Sequence, residues 1–191
     1  MGEVQLSNKE IIFDYNRIYS GPGIRTNSGY YRWIVKLLGL KPGKTILDVS
    51  CGEGIFLREV LRKFKLTRAS GLDISDIAVS IAKRRSPDPG FVVADGQRIP
   101  FKDKSFDYVT CLGSLEHYLD QDLGLREIRR VAKDDADIVI VTGGLGPTDD
   151  DITRQAFAEL LGVKLQVKPA LLKDIRKFFA DMDAEKKSPW H

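Results

Sequence analysis

Short apolar stretches alternate with stretches of helical periodicity along most of this chain. Apolar stretches predict strands at residues 45–49, 68–73, 90–94, 106–112 and 137–142, and helical periodicity predicts helices at 9–19, 28–38, 54–65, 75–85 and 121–132. In the helix at 54–65, the side chains of Ile55, Val60, Leu61 and Phe64 are expected on one face. This order of elements is typical of βαβ units, so the sequence predicts an α/β fold with a doubly wound parallel sheet and helices on both faces.

The last fifty or so residues continue the alternation less regularly. A helix is expected at 149–161, the segment "VKLQVK" alternates like a short edge strand, and a final helix is expected from Pro169 to about 182. With 191 residues the chain can bury one sizeable core, which favours a single domain over 1–191. Within it we expect a helical cap at 1–44, a ligand-binding core at 45–135, a strand-turn-helix segment at 136–182 and a tail at 183–191.

Composition narrows the possible partners. A net charge of +3 is too mild to favour nucleic acid, and the basic side chains of the helices at 54–65 and 75–85 lack interleaved aromatic residues that would stack on bases. Cys51 and Cys111 are the only cysteines and have no metal-ligand spacing, which favours a reducing, cytoplasmic setting without a metal site. No apolar stretch is long enough to predict a membrane span.

A glycine-containing turn follows the first predicted strand in "ILDVSCGEGIFL". Asp48 ends the strand, and the chain turns through Ser50, Gly52 and Gly54 into the next helix. Glycine suits such a turn because it tolerates positive φ and lets the main chain approach a ligand closely. A glycine turn without any ligand is the alternative explanation of this segment alone.

Acidic residues at the ends of the next strands favour a ligand site. Asp73 ends the second predicted strand, Asp95 and Gly96 end the third, and a loop at 112–117 follows the fourth. Because ligands of open α/β sheets bind at the carboxyl ends of the strands, these side chains are expected to converge on one site.

Together, the segments "LDVSCGEG", "SGLDIS", "VVADGQRIPF", "IPFKDKSFDYV" and "SLEHYL" resemble class I S-adenosylmethionine-dependent methyltransferases over about residues 10–135, which have a Rossmann-like fold. The resemblance implies that the glycine turn contacts the methionyl part of the cofactor, that Asp73 holds the ribose and that Asp95 accepts a hydrogen bond from the adenine amino group. The cofactor-binding residues it implies are Asp48, Ser50, Gly52, Gly54, Asp73, Ile74, Asp95, Gly96, Leu112 and Tyr15. Ser50 departs from the family, which more often has glycine there, and its side chain could crowd or reorient the cofactor. A dinucleotide site remains an alternative, although Leu57 replaces the last glycine of the G-x-G-x-x-G pattern.

Methyl transfer from a sulfonium mainly requires alignment of the acceptor with the methyl group. Where the acceptor must lose a proton, Glu116 or His117 in the loop after the fourth strand is the candidate base. For His117 we favour the alternative, a polar residue at a helix start. The aromatic residues of the first two helices, Tyr15, Tyr19, Tyr30, Tyr31 and Trp33, are expected either to cap the cofactor or to pack in the core.

A second glycine turn lies in "IVIVTGGLGPTDDDITRQAF". From about residue 136 the sequence resembles the molybdopterin-binding-like domain of the CinA family, in which the turn approaches a phosphate-bearing ligand and Asp151 belongs to the site. The chain therefore joins two family patterns, and the terminal hairpin of a methyltransferase is expected to be incomplete. A tight strand-to-helix connection that binds nothing also explains the turn. An edge strand left without a neighbour would favour a homodimer.

Three hypotheses follow from the sequence. The first is an S-adenosylmethionine-dependent methyltransferase acting on a small molecule. The second is a hybrid that binds S-adenosylmethionine without turnover, because its acceptor site is incomplete. The third is a nucleotide or pterin-phosphate enzyme of the CinA type that uses the TGGLGPT turn.

Overall fold

The structure is a computed structural model that describes residues 8–21, 28–66 and 68–141. The chain divides into two compact units, Met1–Gly144 and Leu145–His191, and every described residue belongs to the first. The helices expected after residue 148, the "VKLQVK" strand, the TGGLGPT turn and the incomplete hairpin lie outside the described residues. The single domain over 1–191 therefore stays a prediction.

Five parallel strands form one sheet in the order β3-β2-β1-β4-β5. The strands are β1 Thr45–Val49, β2 Arg68–Asp73, β3 Gly90–Val93, β4 Phe106–Leu112 and β5 Ala132–Val141. The helices are α1 Asn8–Ser20, α2 Ser28–Leu37, α3 Ile55–Lys63, α4 Asp76–Arg85 and α5 Gln121–Val131, with a 3-10 turn at Leu115–His117. The predicted α/β fold is confirmed, and the order of strands reverses direction beside β1, where such sheets bind ligands.

Both faces of the sheet are covered. Ile46 of β1 belongs to a core cluster with residues of α2, α3 and α4, while the neighbouring Leu47 points to the opposite face, and both side chains are fully buried. Leu125 and Ile128 of α5 are also buried. A strand with consecutive buried side chains is typical of a parallel sheet with helices on each side.

The buried face of α3 agrees in part with the expected one. Phe56, Leu57 and Val60 are buried, and Leu61 and Phe64 are partly buried against the same core cluster. Ile55, at the start of the helix, lines a cavity above the sheet instead of joining the core. Of the four residues expected on this face, Ile55 is therefore the exception.

Strand β5 begins earlier than predicted. It follows α5 directly at Ala132, which pairs with Phe106, and regular pairing resumes where Asp137 pairs with Tyr108. The residues between them form an irregular bulge in the strand. Because this segment reads "KDDAD", its polar side chains concealed the first half of the strand from a search for apolar stretches.

Candidate functional site

A cavity of about 440 Å³ lies at the carboxyl ends of the strands. Its walls are the glycine turn after β1, the loops that follow β2, β3 and β4, and helix α1. This volume lies within the range of about 300–1,000 Å³ that is usual for small-molecule sites. The cavity therefore occupies the position at which doubly wound sheets bind their ligands.

Most of the residues predicted for the site line this cavity. They are Tyr15, Ser50, Gly52, Asp73, Ile74, Asp95, Gly96, Leu112 and His117. Asp48, Gly54 and Glu116 are not among the lining residues.

The glycine turn owes its shape to three residues with positive φ. These are Ser50 at 58°, Gly52 at 51° and Gly54 at 70°. A Cβ atom at Gly52 would lie 2.8 Å from the Tyr19 hydroxyl, and a Cβ atom at Gly54 would lie 2.6 Å from the Phe91 ring. Gly52 thus permits α1 to approach the turn, whereas Gly54 permits packing against β3 and has no ligand-facing position.

Ser50 tolerates its left-handed conformation through a specific partner. Its hydroxyl lies 2.8 Å from the Tyr118 hydroxyl, within hydrogen-bonding distance. The Tyr118 ring fits a slot between Gly96 and Gly124, at both of which any Cβ atom would overlap the ring. The side chain of Ser50, the departure from the family pattern, therefore points to a neighbour within the protein. Tyr118 lines the cavity but was not predicted, because only the fold brings Gly96 and Gly124 to its two sides.

Asp48 lies beneath the glycine turn. Its side chain is 3% exposed, and Oδ1 accepts a hydrogen bond of 2.7 Å from the Thr110 hydroxyl. Burial raises the pKa of Asp48 to about 7, the Thr110 hydrogen bond lowers it, and the charge of Asp73 raises it further. Asp48 therefore lies outside the cavity lining, and its contact with the cofactor stays a prediction.

Asp73 joins the glycine turn to the start of α4. Oδ2 accepts a hydrogen bond of 2.8 Å from the Gly52 amide, and Oδ1 accepts one of 2.9 Å from the Ser75 amide. Burial raises the pKa of Asp73, and these amide hydrogen bonds oppose the increase. Since a carboxylate has about four lone-pair sites, it can hold both amides and still accept from a ligand hydroxyl.

Asp95 is held by a residue that sequence reasoning missed. Asp95 Oδ1 accepts hydrogen bonds from the Gln97 amide at 2.8 Å and from Gln97 Nε2 at 3.1 Å. Gln97 Oε1 in turn accepts from the Asp120 amide at 2.7 Å. The Asp-Gly-Gln spacing is that of an Asx turn, which could have signalled the first of these bonds. The contact with Asp120 depends on the fold.

Helix α1 covers the cavity and is fastened to the start of α4. The Asn16 amide donates to Asp76 Oδ1 at 2.7 Å and accepts from the Ser75 hydroxyl at 2.6 Å. Tyr15 and Tyr19, one helical turn apart, face the cavity together with Tyr31 of α2. Tyr30, Tyr31 and Trp33 pack against the core cluster, so core packing applies to these three, and the capping of a cofactor stays a prediction.

The two candidate bases differ in position. His117 is exposed, lines the cavity, and meets the ring of Tyr15 edge-on with a centroid separation of 6.3 Å. Glu116 is half-buried outside the cavity lining, and its negative charge adds to the burial that raises the pKa of Tyr15 and of Tyr30. Of the two, only His117 reaches the cavity.

The lining fits S-adenosylmethionine in its chemistry. The carboxylates of Asp73 and Asp95 can accept hydrogen bonds from hydroxyl and amino groups. Gly52 has no side chain that would keep a ligand away from its main chain. Tyr15 and Tyr19 offer aromatic rings, which attract a positive charge such as a sulfonium. The described part of the chain thus provides groups for each end of this cofactor.

Comparisons with known families agree with the geometry. Residues 47–140 match the model of the methyltransferase domain, and residues 113–185 match that of the probable molybdopterin binding domain. Each match covers less than half of the chain, and together they confirm both resemblances found in the sequence. The two matches overlap across α5 and β5.

Individual relatives divide in the same way. A demethylmenaquinone methyltransferase of Thermotoga maritima is 36% identical over 110 residues, which are 58% of this chain and 48% of the relative. A CinA-like protein of Thermomicrobium roseum is 52% identical over 61 residues, which are 32% of this chain and 15% of the relative. The chain thus spans about half, or much less, of the length of these relatives.

A solved structure shares the fold. It is that of a proposed S-adenosyl-L-methionine-dependent methyltransferase of Methanococcus maripaludis, with a TM-score of 0.58 and 19% identity over 97% of this chain and 84% of that one. At this identity the likeness concerns the fold alone. Among the described helices, none has the length and apolar character to span a membrane.

Proposed function

We propose that this protein is an S-adenosylmethionine-dependent methyltransferase that acts on a small molecule. The observation that carries the proposal is the convergence of Ser50, Gly52, Asp73 and Asp95 on one cavity covered by α1. The methyltransferase domain match at 47–140 includes all four. In this reading Asp73 accepts hydrogen bonds from the ribose hydroxyls, Asp95 accepts from the adenine amino group, and the turn at Gly52 adjoins the methionyl part.

The chemistry asks little of the protein beyond alignment. When bound, S-adenosylmethionine supplies a methyl group on a good leaving group, so the lining has to orient an acceptor and exclude water. Tyr15, Tyr19 and Ile18 of α1 would exclude water from above. His117, at the cavity wall beside Tyr15, would take up a proton where the acceptor is a hydroxyl group.

The acceptor that suits this cavity is apolar and cyclic. The wall formed by α1 and β4 contributes Ile11, Ile18, Tyr15 and Leu112, and His117 is the titratable group beside them. Such a wall favours a flat apolar ligand, because an aromatic side chain can stack on a flat ring or contact it edge-on. The Thermotoga relative is named for demethylmenaquinone, which belongs to this chemical class.

Calorimetric titration with S-adenosylhomocysteine tests the cofactor assignment. We expect saturable binding to the full chain, and Asp73→Asn should weaken it by about 10-fold or more, because a hydrogen bond to a charged group contributes about 1.5–3 kcal/mol. Asp88→Asn, which removes an exposed carboxyl in the loop before β3, is the control and should bind as the wild type does. Absence of any heat at millimolar ligand would contradict the proposal.

Two alternatives rest on the second family match, at 113–185. A protein that binds S-adenosylhomocysteine but transfers no labelled methyl group to quinol, phenol, amine and thiol acceptors would be a binding hybrid without turnover. A nucleotide or pterin-phosphate enzyme of the CinA type would instead show pyrophosphatase or amidohydrolase activity that Asp151→Asn abolishes. Asp151 lies outside the described residues.

We also propose a homodimer, since β5 is the last strand of the sheet formed by the described residues. Light scattering tests this directly. A mass of one chain at high protein concentration would refute it.

A further inference from the structure

The loop after β3 contains a hydrogen-bond relay that the assigned cofactor roles do not use. Gln97 lines the cavity beside Asp95, and its side-chain amide is engaged at both ends. Nε2 donates to Asp95 Oδ1 at 3.1 Å and to Oδ2 at 3.3 Å, while Oε1 accepts from the Asp120 amide at 2.7 Å. One side chain therefore connects the loops that follow β3 and β4, which form two walls of the cavity.

The orientation of this amide is fixed by its partners. The Asp120 amide can only donate, so the Gln97 oxygen must face it, and the Asp95 carboxylate can only accept, so the Gln97 nitrogen must face that side. Asp120 is itself held as the N-cap of α5, where its carboxylate accepts from the Leu123 amide at 2.8 Å. The relay thus runs from a helix start to a carboxylate at the cavity.

The carboxylate at the end of the relay, that of Asp95, can accept a hydrogen bond from a ligand bound beside it in the cavity. Gln97 holds it twice, through its side chain and through its main-chain amide at 2.8 Å. A base with an amino group at this wall can donate a hydrogen bond to the Asp95 carboxylate. A base with a carbonyl oxygen there places an acceptor against that carboxylate, which is itself an acceptor. A site built to accept from a donor discriminates strongly against an analogue that lacks it.

We propose that Gln97 is a positioning residue that sets the base selectivity of the cofactor site, so that an adenine ring is bound in preference to a hypoxanthine ring. This inference rests on the proposed function, because it assumes that the base lies beside Asp95. It goes further in assigning the selectivity to a side chain that would not need to touch the ligand.

Two ligands that differ only at the base provide the test. S-adenosylhomocysteine carries an amino group where S-inosylhomocysteine carries a carbonyl oxygen. We expect the wild-type protein to bind the first about 10- to 100-fold more tightly by calorimetry, the range that one hydrogen bond to a charged group produces. Gln97→Leu should lower this ratio to about 3-fold or less, mainly by weakening S-adenosylhomocysteine.

Gln97→Glu and Gln121→Leu complete the design. Gln97→Glu keeps the length of the side chain but turns the donor toward Asp95 into an acceptor, so it should also lower the ratio. Gln121→Leu makes the same change as the first variant at an exposed position in α5 and should leave the ratio unchanged. Gln97→Glu also keeps the test usable should Gln97→Leu not fold, as judged by circular dichroism.

Each result has one meaning. An unchanged ratio in both Gln97 variants, or an equal loss of affinity for both ligands, would overturn the proposal, because Gln97 would then only support the loop. Wild-type protein that binds both ligands equally well would overturn it as well while leaving the cofactor assignment intact. Failure of the wild type to bind S-adenosylhomocysteine would instead refute the proposed function itself.

Discussion

The buried carboxyl of Asp48 makes the stability of this protein depend on pH. Burial raises its pKa from 3.8 to about 7. In the unfolded chain the Asp48 carboxyl therefore loses its proton around pH 3.8, whereas in the folded protein it keeps the proton up to about pH 7. The stability contributed by the neutral carboxyl is present below pH 3.8 and is lost as the pH rises through 7. A pKa difference of this size corresponds to about 4 kcal/mol.

Asp48→Asn removes this dependence. The variant side chain is neutral at every pH, and its Oδ1 can still accept the hydrogen bond from Thr110. Its Nδ2 introduces a buried donor, with a cost of about 1–3 kcal/mol that does not change with pH. Between about pH 4 and about pH 7 the wild type should therefore lose up to about 4 kcal/mol of free energy of unfolding relative to the variant. Above about pH 7 the difference between the two proteins should stay constant.

Urea unfolding without ligand, at several pH values from about 4 to about 8, measures this difference. Glu127, whose pKa is lowered mainly by Arg130, is present in both proteins and does not act on Asp48, so its contribution cancels to first order. Asp88→Asn reports the effect of losing one exposed negative charge. A difference between Asp48→Asn and the wild type that stays constant to within about 0.5 kcal/mol over this range would refute the reasoning.

Three further substitutions test contacts around the cavity. Gly96→Ala places a Cβ atom on the Tyr118 hydroxyl and should destabilise the protein by about 1–3 kcal/mol in urea unfolding. Its control, Gly90→Ala, has no atom nearer than 3.8 Å to the added Cβ and should cost less than about 1 kcal/mol. Equal costs would contradict the steric explanation. Tyr118→Phe should cost about 0.5–1.5 kcal/mol with Ser50 present and little in a Ser50→Gly background, and additive effects would mean that the two hydroxyls are not coupled. Asn16→Ala removes both hydrogen bonds that fasten α1 to α4 and should speed amide exchange in α1 by about 5- to 10-fold, while unchanged exchange would show that packing alone holds the helix.

The sequence predicted the sheet well because its signals are local. Each of the first four strands is a short segment that contains apolar side chains and lies between helical patterns or turns, and the bounds of β1, β2 and β4 agree with the structure residue for residue. The acidic residues that end these strands could be assigned to one edge of the sheet, since parallel strands all end on the same side. Asp73 and Asp95 therefore came together as expected.

What the sequence concealed depends on contacts between distant segments. Asp48 follows the same strand-end logic as Asp73, yet it does not line the cavity, because its side chain is buried against Thr110. Tyr118 and Gln97 reach the cavity only because α5 and the loop after β3 meet there. No local pattern distinguishes a tyrosine in such a slot from one on a surface.

Asp73 gives the cavity one more property. Because its carboxylate already accepts from the Gly52 and Ser75 amides, the main chain around the floor is organised before any ligand arrives. Association should then lack the large unfavourable entropy that accompanies the ordering of a segment, and its heat capacity change should reflect only the surface that the ligand and the cavity bury against each other. The main chain at the floor of the cavity would therefore keep its conformation while one ligand leaves and the next one binds.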